Sequence, residues 1–125
     1  MNYTPAIGDL LVRPKSFMFI DHVGVAVGSD AVFHNAPGQG ERVTTMSEFA
    51  AGQPVKVLRT AAEPRSVLAR LWNRLAKPTR YHATNSNCEH SAYAVVEGRS
   101  RSPQLAFIVG LLILTALAFI FWPRR

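Results

Sequence analysis

An alternation of apolar residues with small or polar ones marks residues 21–28 as the clearest strand in the chain. Because successive side chains of a strand point to opposite faces, its three valines share one face, and His22, Gly24 and Ala26 share the other. The valines predict a buried face. The small residues leave room for another element to approach closely, and His22 stands at the end of their row.

A second histidine, His34, lies on the expected antiparallel partner of this strand, which follows a turn signal at residues 29–30. A two-residue turn would pair His34 with Val25, and its side chain would then point away from His22. A third turn residue or a bulge would instead pair His34 with Gly24. Only this second register puts both histidines on one face, where they can serve one site.

Weaker patterns predict the other elements of the chain. They are a strand over Ile7–Val12, an apolar loop or short strand over 16–20, a loop over 35–40, a helix from the Thr45/Glu48 capping box through Ala51 that Gly52 closes, a strand over 55–58, a helix from Pro64 to Lys77, and a helix from Cys88 to Glu97. This order predicts an α+β fold, with a small antiparallel β-sheet packed against helices.

The helix that begins at Pro64 shows two faces of different character. Apolar residues recur at helical spacing and predict its packing side: Val67, Leu68, Leu71, Trp72 and Leu75. A basic face carries Arg70, Arg74 and Lys77. Such a face is most simply a solvated surface, and its functional interpretation is contact with anionic lipid.

The end of the chain is apolar on every side. Residues 105–122 carry no charge, and at about 1.5 Å per residue they would form a helix of roughly 27 Å, close to the hydrocarbon thickness of a bilayer. A fully apolar helix inside a soluble protein would need a larger body around it than the preceding residues can supply. The pattern predicts a domain over 1–102 and a transmembrane anchor over 103–125.

The first residues of the chain have neither the basic nor the apolar region of a signal peptide. We therefore expect a tail-anchored, single-pass membrane protein with residues 1–102 in the cytoplasm. The single cysteine fits a reducing compartment.

The net charge of +6 raises the possibility of a nucleic-acid partner. Residues 1–102 hold 12 basic and 8 acidic residues, and no motif for stacking on bases accompanies them. Nucleic acid is therefore not an expected partner.

Cys88, the only cysteine, lies at the predicted start of a helix, where free backbone N–H groups and the helix dipole favour a thiolate. A nucleophile is one interpretation, and a small buried apolar residue is the other. His22 and His34 are candidates for a base and its orienting partner, provided that the Cys88 helix packs on the face of Gly24. His90 lies about 200° round the helix from Cys88 and is excluded as the base.

Zinc binding is a rival use of cysteine and histidine. The chain has no Cys-x-x-Cys and no His-Glu-x-x-His spacing. We therefore expect neither a metal nor another cofactor.

The segment Asn87-Cys88-Glu89-His90 resembles the NCEH signature of lecithin retinol acyltransferase-like domains, a circularly permuted branch of the NlpC/P60 papain-like hydrolases. Gly8-Asp9, His22-Val23-Gly24 and a histidine twelve residues further on, His34, also match that family's pattern. The resemblance covers most of residues 1–102, and the short spacing resembles the compact bacterial or viral members. Ser91 departs from the pattern, because an aromatic residue usually follows NCEH.

The resemblance implies a permuted papain-like fold with Cys88 as nucleophile, His22 as general base and His34 as the polar third member. It further implies an acyl-enzyme formed from lipid esters, in an acyltransferase or a phospholipase A-type hydrolase. The backbone N–H of Cys88 is the expected oxyanion donor. Two alternatives remain: a cysteine amidase or peptidase of the NlpC/P60 type, and a non-catalytic membrane-tethered module.

Overall fold

The computed structural model describes residues 4–15 and 20–123. Apart from Ile20, the loop or short strand predicted over 16–20 lies outside the described residues. The described strands are β1 (Leu10–Pro14), β2 (Asp21–Gly28), β3 (Ala31–Ala36), β4 (Gly40–Thr44) and β5 (Lys56–Leu58), and the helices are α1 (Met46–Ala50), α2 (Pro64–Ala76), α3 (Cys88–Glu97) and α4 (Pro103–Phe121).

The strands form one antiparallel sheet in the order β4-β3-β2-β1-β5, which confirms the α+β class. β4 is a strand that the sequence did not predict, and β3 continues through residues expected in a loop. β1 begins three residues later than predicted and runs to Pro14. In α1, Ala51 rather than Gly52 takes the left-handed cap position.

The hairpin of β2 and β3 has the register that lets both histidines share a face. Gly24 pairs with His34, and the ladder shifts between Ala26 and Gly28 because of a bulge. The extra residue of the bulge moves every later side chain of the strand by one position relative to its partner. The prediction that an irregular hairpin brings His22 and His34 to one face is confirmed.

The two faces of the sheet are covered by different helices. The valine face of β2 packs against α2 and α3 in a core that includes Val25, Phe33 and Val95. The other face is filled by Phe49 of α1, and a Cβ added at Gly24 would lie only 2.7 Å from the Phe49 ring. The condition under which Cys88 would meet the two histidines, that its helix packs on the face of Gly24, is therefore not met, because Phe49 occupies that space.

Helix α2 differs from its prediction on both faces. Val67 and Leu71 are buried against α3, but Trp72 is 71% exposed and does not belong to the packing side. Arg70 donates hydrogen bonds to the last carbonyl groups of α3, and Arg74 forms an ion pair with Glu41. Two of the three residues of the basic face are thus bound within the fold, where they satisfy free helix carbonyls and a buried carboxylate.

Helix α4 is a 19-residue helix that is long and apolar enough to cross a membrane. Its 18-residue apolar window is not buried against the rest of the chain. The hydroxyl of Ser102 caps its first turn by accepting from the Leu105 N–H, and Pro103 follows at a position where a missing N–H costs nothing.

Candidate active site

Cys88 is the first residue of α3, and the residues on either side of it build the helix start. The Asn87 side chain accepts from the His90 N–H, and Nδ1 of His90 accepts in return from the Asn87 N–H. This reciprocal capping box satisfies two N–H groups that would otherwise lack partners. His90 is therefore a capping residue, in agreement with its exclusion as the base.

The thiol of Cys88 lies against the start of β2, in the part of that strand that does not pair with β3. Its Sγ is 3.9 Å from the carbonyl oxygen of Asp21, and it accepts a hydrogen bond from the Val23 N–H. The backbone N–H and C=O of Ala26 form hydrogen bonds with Gly8 and Asp9, on the side of β1. Because the backbone groups of successive residues in a strand point to alternate sides, those of Asp21 and Val23 point to the opposite side, where β3 lies. Pairing with β3 ends at Gly24, and the thiol contacts β2 backbone beyond that point, where β3 supplies no partner.

His22, His34 and Thr44 form a continuous chain of hydrogen bonds on the Phe49 face. Nε2 of His22 lies 3.0 Å from Nδ1 of His34, and Nε2 of His34 lies 3.0 Å from Oγ1 of Thr44. The His22 ring stacks on Phe49, and the His34 ring meets Phe49 edge-on. Sequence reasoning missed Thr44, which the unpredicted strand β4 places beside His34.

The hydrogen bonds assign the tautomers of both rings. The Thr44 hydroxyl donates to the Thr45 carbonyl at 3.2 Å, so it accepts from the Nε2–H of His34. Nδ1 of a neutral His34 is then an acceptor, and Nε2 of His22 must be the donor to it. This leaves Nδ1 of His22 unprotonated, which is the form that a general base requires.

Both histidines are neutral at neutral pH. Burial, followed by the neighbouring His34 and the charge of Arg13, lowers the pKa of His22 from about 6.5 to about 3. Burial and the charges of Arg42 and Arg13 lower the pKa of His34 to about 4. These shifts agree with the tautomers assigned from the hydrogen bonds, because each ring can then keep one acceptor nitrogen.

The thiol differs from the expectation for a helix N-terminus. Burial raises the pKa of Cys88, and the Val23 N–H and the charge of Lys15 oppose that shift only in part. No hydrogen bond within the described ranges joins the thiol to His22, because the thiol belongs to the valine-face core whereas the His22 ring faces Phe49. Cys88 is thus a protonated thiol at neutral pH.

A pocket of about 200 Å³ opens beside Cys88. Its lining includes Lys15 and Thr84, and Leu105 and Ile108 from the first turns of α4. A larger cavity of about 430 Å³ lies between residues 38–41 and 78–81 and includes neither the thiol nor the two histidines. The pocket at Cys88 is therefore the candidate site.

Beneath the site, Ser91 belongs to a buried polar network. Its hydroxyl donates to Glu41 at 2.7 Å and accepts from the Asn35 side-chain amide at 3.1 Å. The other oxygen of Glu41 accepts from the Thr79 N–H, and Arg74 pairs with the carboxylate. These bonds lower the pKa of Glu41 against the opposing effect of burial. The serine at this position is thus explained by the buried carboxylate that it contacts.

Among the residues with described positions, no group of three or more His, Cys, Asp or Glu could hold a metal ion. The fold and site define an α+β domain with a helix-terminal cysteine on one face of the sheet and a hydrogen-bonded chain of two histidines and a threonine on the other. No family model matches the chain, and no curated protein matches it.

Proposed function

We propose that the protein is a membrane-anchored, cysteine-dependent acyltransferase or phospholipase A-type hydrolase of the lecithin retinol acyltransferase-like kind. It acts on lipid esters through an acyl-enzyme on Cys88. The observation that carries the proposal is the pocket at Cys88, whose lining joins the thiol to apolar side chains of the helix that is able to span a membrane. An ester of a bilayer lipid suits such a pocket.

In the first step, Nδ1 of His22 takes the thiol proton, and Sγ of Cys88 attacks the ester carbonyl carbon. The Cys88 backbone N–H makes no hydrogen bond among the described residues, so it is free to donate to the oxyanion. The C–O bond of the ester then breaks, and the leaving alcohol takes the proton from His22. The product is a thioester on Cys88.

In the second step, water or an acceptor hydroxyl or amine attacks the thioester and gives its proton to His22. The C–S bond breaks, and the thiol recovers the proton. His34 holds the His22 ring through both steps, and Thr44 fixes the proton on the distal nitrogen of His34. These two residues orient the base and do not touch the substrate.

The thiol and the His22 ring must come into hydrogen-bond reach for the first step. The groups that separate them are the backbone of Asp21, His22 and Val23 at the start of β2. Catalytic hydrogen bonds are often long in free enzymes and tighten when the substrate binds. The proposed first step therefore requires a movement at this strand end that brings the thiol and the His22 ring together.

A non-catalytic membrane-tethered module is the second candidate. The observations that favour it are the raised pKa of Cys88 and the absence of a thiol–imidazole bond among the described residues. Such a module would keep the cysteine only as part of its core.

Mass analysis of Cys88 distinguishes these candidates. The full chain is reconstituted in vesicles of mixed phospholipids, supplied with peptides, and analysed for an adduct on Cys88. We expect a fatty acyl thioester that hydroxylamine removes, that Cys88→Ala and His22→Ala abolish, and that His34→Gln weakens less. His82→Ala changes a histidine outside the relay and should leave the adduct unchanged.

An unmodified Cys88 in the unaltered protein would support the non-catalytic module. An adduct that comes only from the peptides would indicate an amidase or peptidase. Equal labelling of the His22→Ala protein would remove His22 as the base.

A further inference from the structure

The start of helix α4 is fastened to the first turn of α3. One carboxylate oxygen of Glu89 accepts from the Ser102 hydroxyl at 2.5 Å and from the Gln104 N–H at 2.9 Å. The Asn87 amide also donates to the Ser102 hydroxyl. Glu89 is buried and lies next to Cys88 in the chain. A carboxylate at the N-terminus of α4 also complements the positive end of that helix.

Gln104 makes a second attachment, to the strand end that holds the thiol. Its Oε1 accepts from the Asp21 N–H at 2.8 Å, and its Nε2 donates to the Asp21 carbonyl at 3.2 Å. The Asp21 carbonyl is the same oxygen that lies 3.9 Å from Sγ of Cys88. The first turn of α4 therefore contacts both elements beside the thiol, the first turn of α3 and the start of β2.

Leu105 and Ile108 stand one helical turn apart on α4 and both line the Cys88 pocket. Ile108 is 38% exposed, whereas the next two large apolar residues toward the C-terminus, Val109 and Leu111, are 45% and 54% exposed. If α4 crosses the bilayer, this side of the helix leads from the hydrocarbon region directly to the thiol. The pocket is continuous with the surface that lipid would cover.

From these contacts we infer that α4 is a wall of the lipid site as well as an anchor. A bilayer lipid presents its acyl chain along Leu105 and Ile108, and the attachments of Glu89 and Gln104 hold this wall against Cys88. This inference rests on the proposed function for the ester chemistry. The path from the bilayer to the thiol, however, can be tested without turnover.

Alkylation of the single cysteine provides that test. The full chain is placed in phosphatidylcholine vesicles, and the rate at which a hexadecyl maleimide in the bilayer labels Cys88 is compared with the rate for N-ethylmaleimide from water. Ile108→Trp, which fills the path, should slow the long-chain reagent by about tenfold or more, because pocket size discriminates on this scale. It should change the N-ethylmaleimide rate much less.

Val109→Trp is the matched control, because it adds the same bulk at the same depth on a side of α4 that does not line the pocket. Gln104→Met keeps the length of the side chain and removes its bonds to Asp21. It should also slow the long-chain reagent relative to N-ethylmaleimide, whereas Gln53→Met, in an exposed turn, should not.

Equal long-chain labelling rates for Ile108→Trp, Val109→Trp and the unaltered protein would overturn the inference. A protein that shows the expected alkylation pattern but forms no thioester with lipid would lose the proposed chemistry and keep the lipid path.

Discussion

Replacing Thr44 with valine removes the one hydroxyl that, within residues 4–15 and 20–123, hydrogen-bonds to the two histidines. In the native protein this hydroxyl donates to the Thr45 carbonyl and accepts from Nε2–H of His34. Valine has nearly the same shape and accepts no hydrogen bond. The substitution therefore tests the assignment of protons along the relay with little change in packing.

The magnitude follows from the burial of His34, which is 5% exposed. A buried donor without a partner costs about 1–3 kcal/mol. His34 escapes that cost if its proton moves to Nδ1, but Nε2 of His22 must then accept, and His22 carries its own proton on Nδ1. In that second arrangement Nδ1 of His22 cannot accept the Cys88 proton, so acylation must proceed from the first arrangement, which is less stable by up to the cost of the unpartnered donor. We expect the rate of Cys88 acylation to fall about 5- to 150-fold, which corresponds to the same 1–3 kcal/mol.

The assay is single-turnover formation of the Cys88 thioester, followed by mass spectrometry, for the full chain in vesicles. Thr44→Ser keeps the hydroxyl and should retain most of the rate. Nitrogen NMR of labelled histidine reports the tautomers without turnover, and the Nδ1 signal of His22 should change from unprotonated to protonated in Thr44→Val. An unchanged acylation rate together with unchanged tautomers would refute the assignment of the relay.

Two further predictions concern stability. Because burial lowers the pKa of His22 to about 3 and that of His34 to about 4, the unfolded chain binds more protons below about pH 6.5, and the free energy of unfolding should fall as the pH drops through this range. His34→Gln should show a shallower fall in the denaturation midpoint, and an equal slope would contradict this source of acid sensitivity. Glu41→Gln leaves Arg74 without its charged partner and should reduce the free energy of unfolding by about 1.5–3 kcal/mol in denaturant titrations. Glu97→Gln, which alters a surface ion pair, should lower the free energy of unfolding much less, and equal losses for the two variants would show that the Glu41 network stabilises no more than a surface pair does.

The sequence was sufficient for elements whose pattern is local. The alternation in residues 21–28, the helical pattern from Cys88 to Glu97 and the uncharged run of α4 each identify their element without knowledge of the rest of the chain. The hairpin register was reduced to two choices, and the choice between them depended on a bulge beyond Ala26. One extra residue decides that geometry, and no residue type in the turn signals it uniquely.

Strand β4 and the face used by α3 could not be predicted, because both depend on distant partners. Glu41 is charged, so its segment resembles an exposed loop until Arg74 and Ser91 are found to surround the carboxylate. The small residues around Gly24 indicated space for a packed helix. The ring of Phe49, from the five-residue helix α1, fills that space instead. Tertiary contacts of this kind override local preference.

The four residues of the Asn87–His90 motif make different contacts around the thiol. Asn87 and His90 cap α3 from opposite directions, and Glu89 holds the first turn of α4. The Cys88 thiol contacts the start of β2, and Cys88 lines the pocket together with Asn87 and Glu89. Because one helical turn carries both the thiol and the attachment of α4, a movement of α4 relative to the sheet moves the walls around the thiol. The same few hydrogen bonds therefore fix the position of α4 and the geometry of the site.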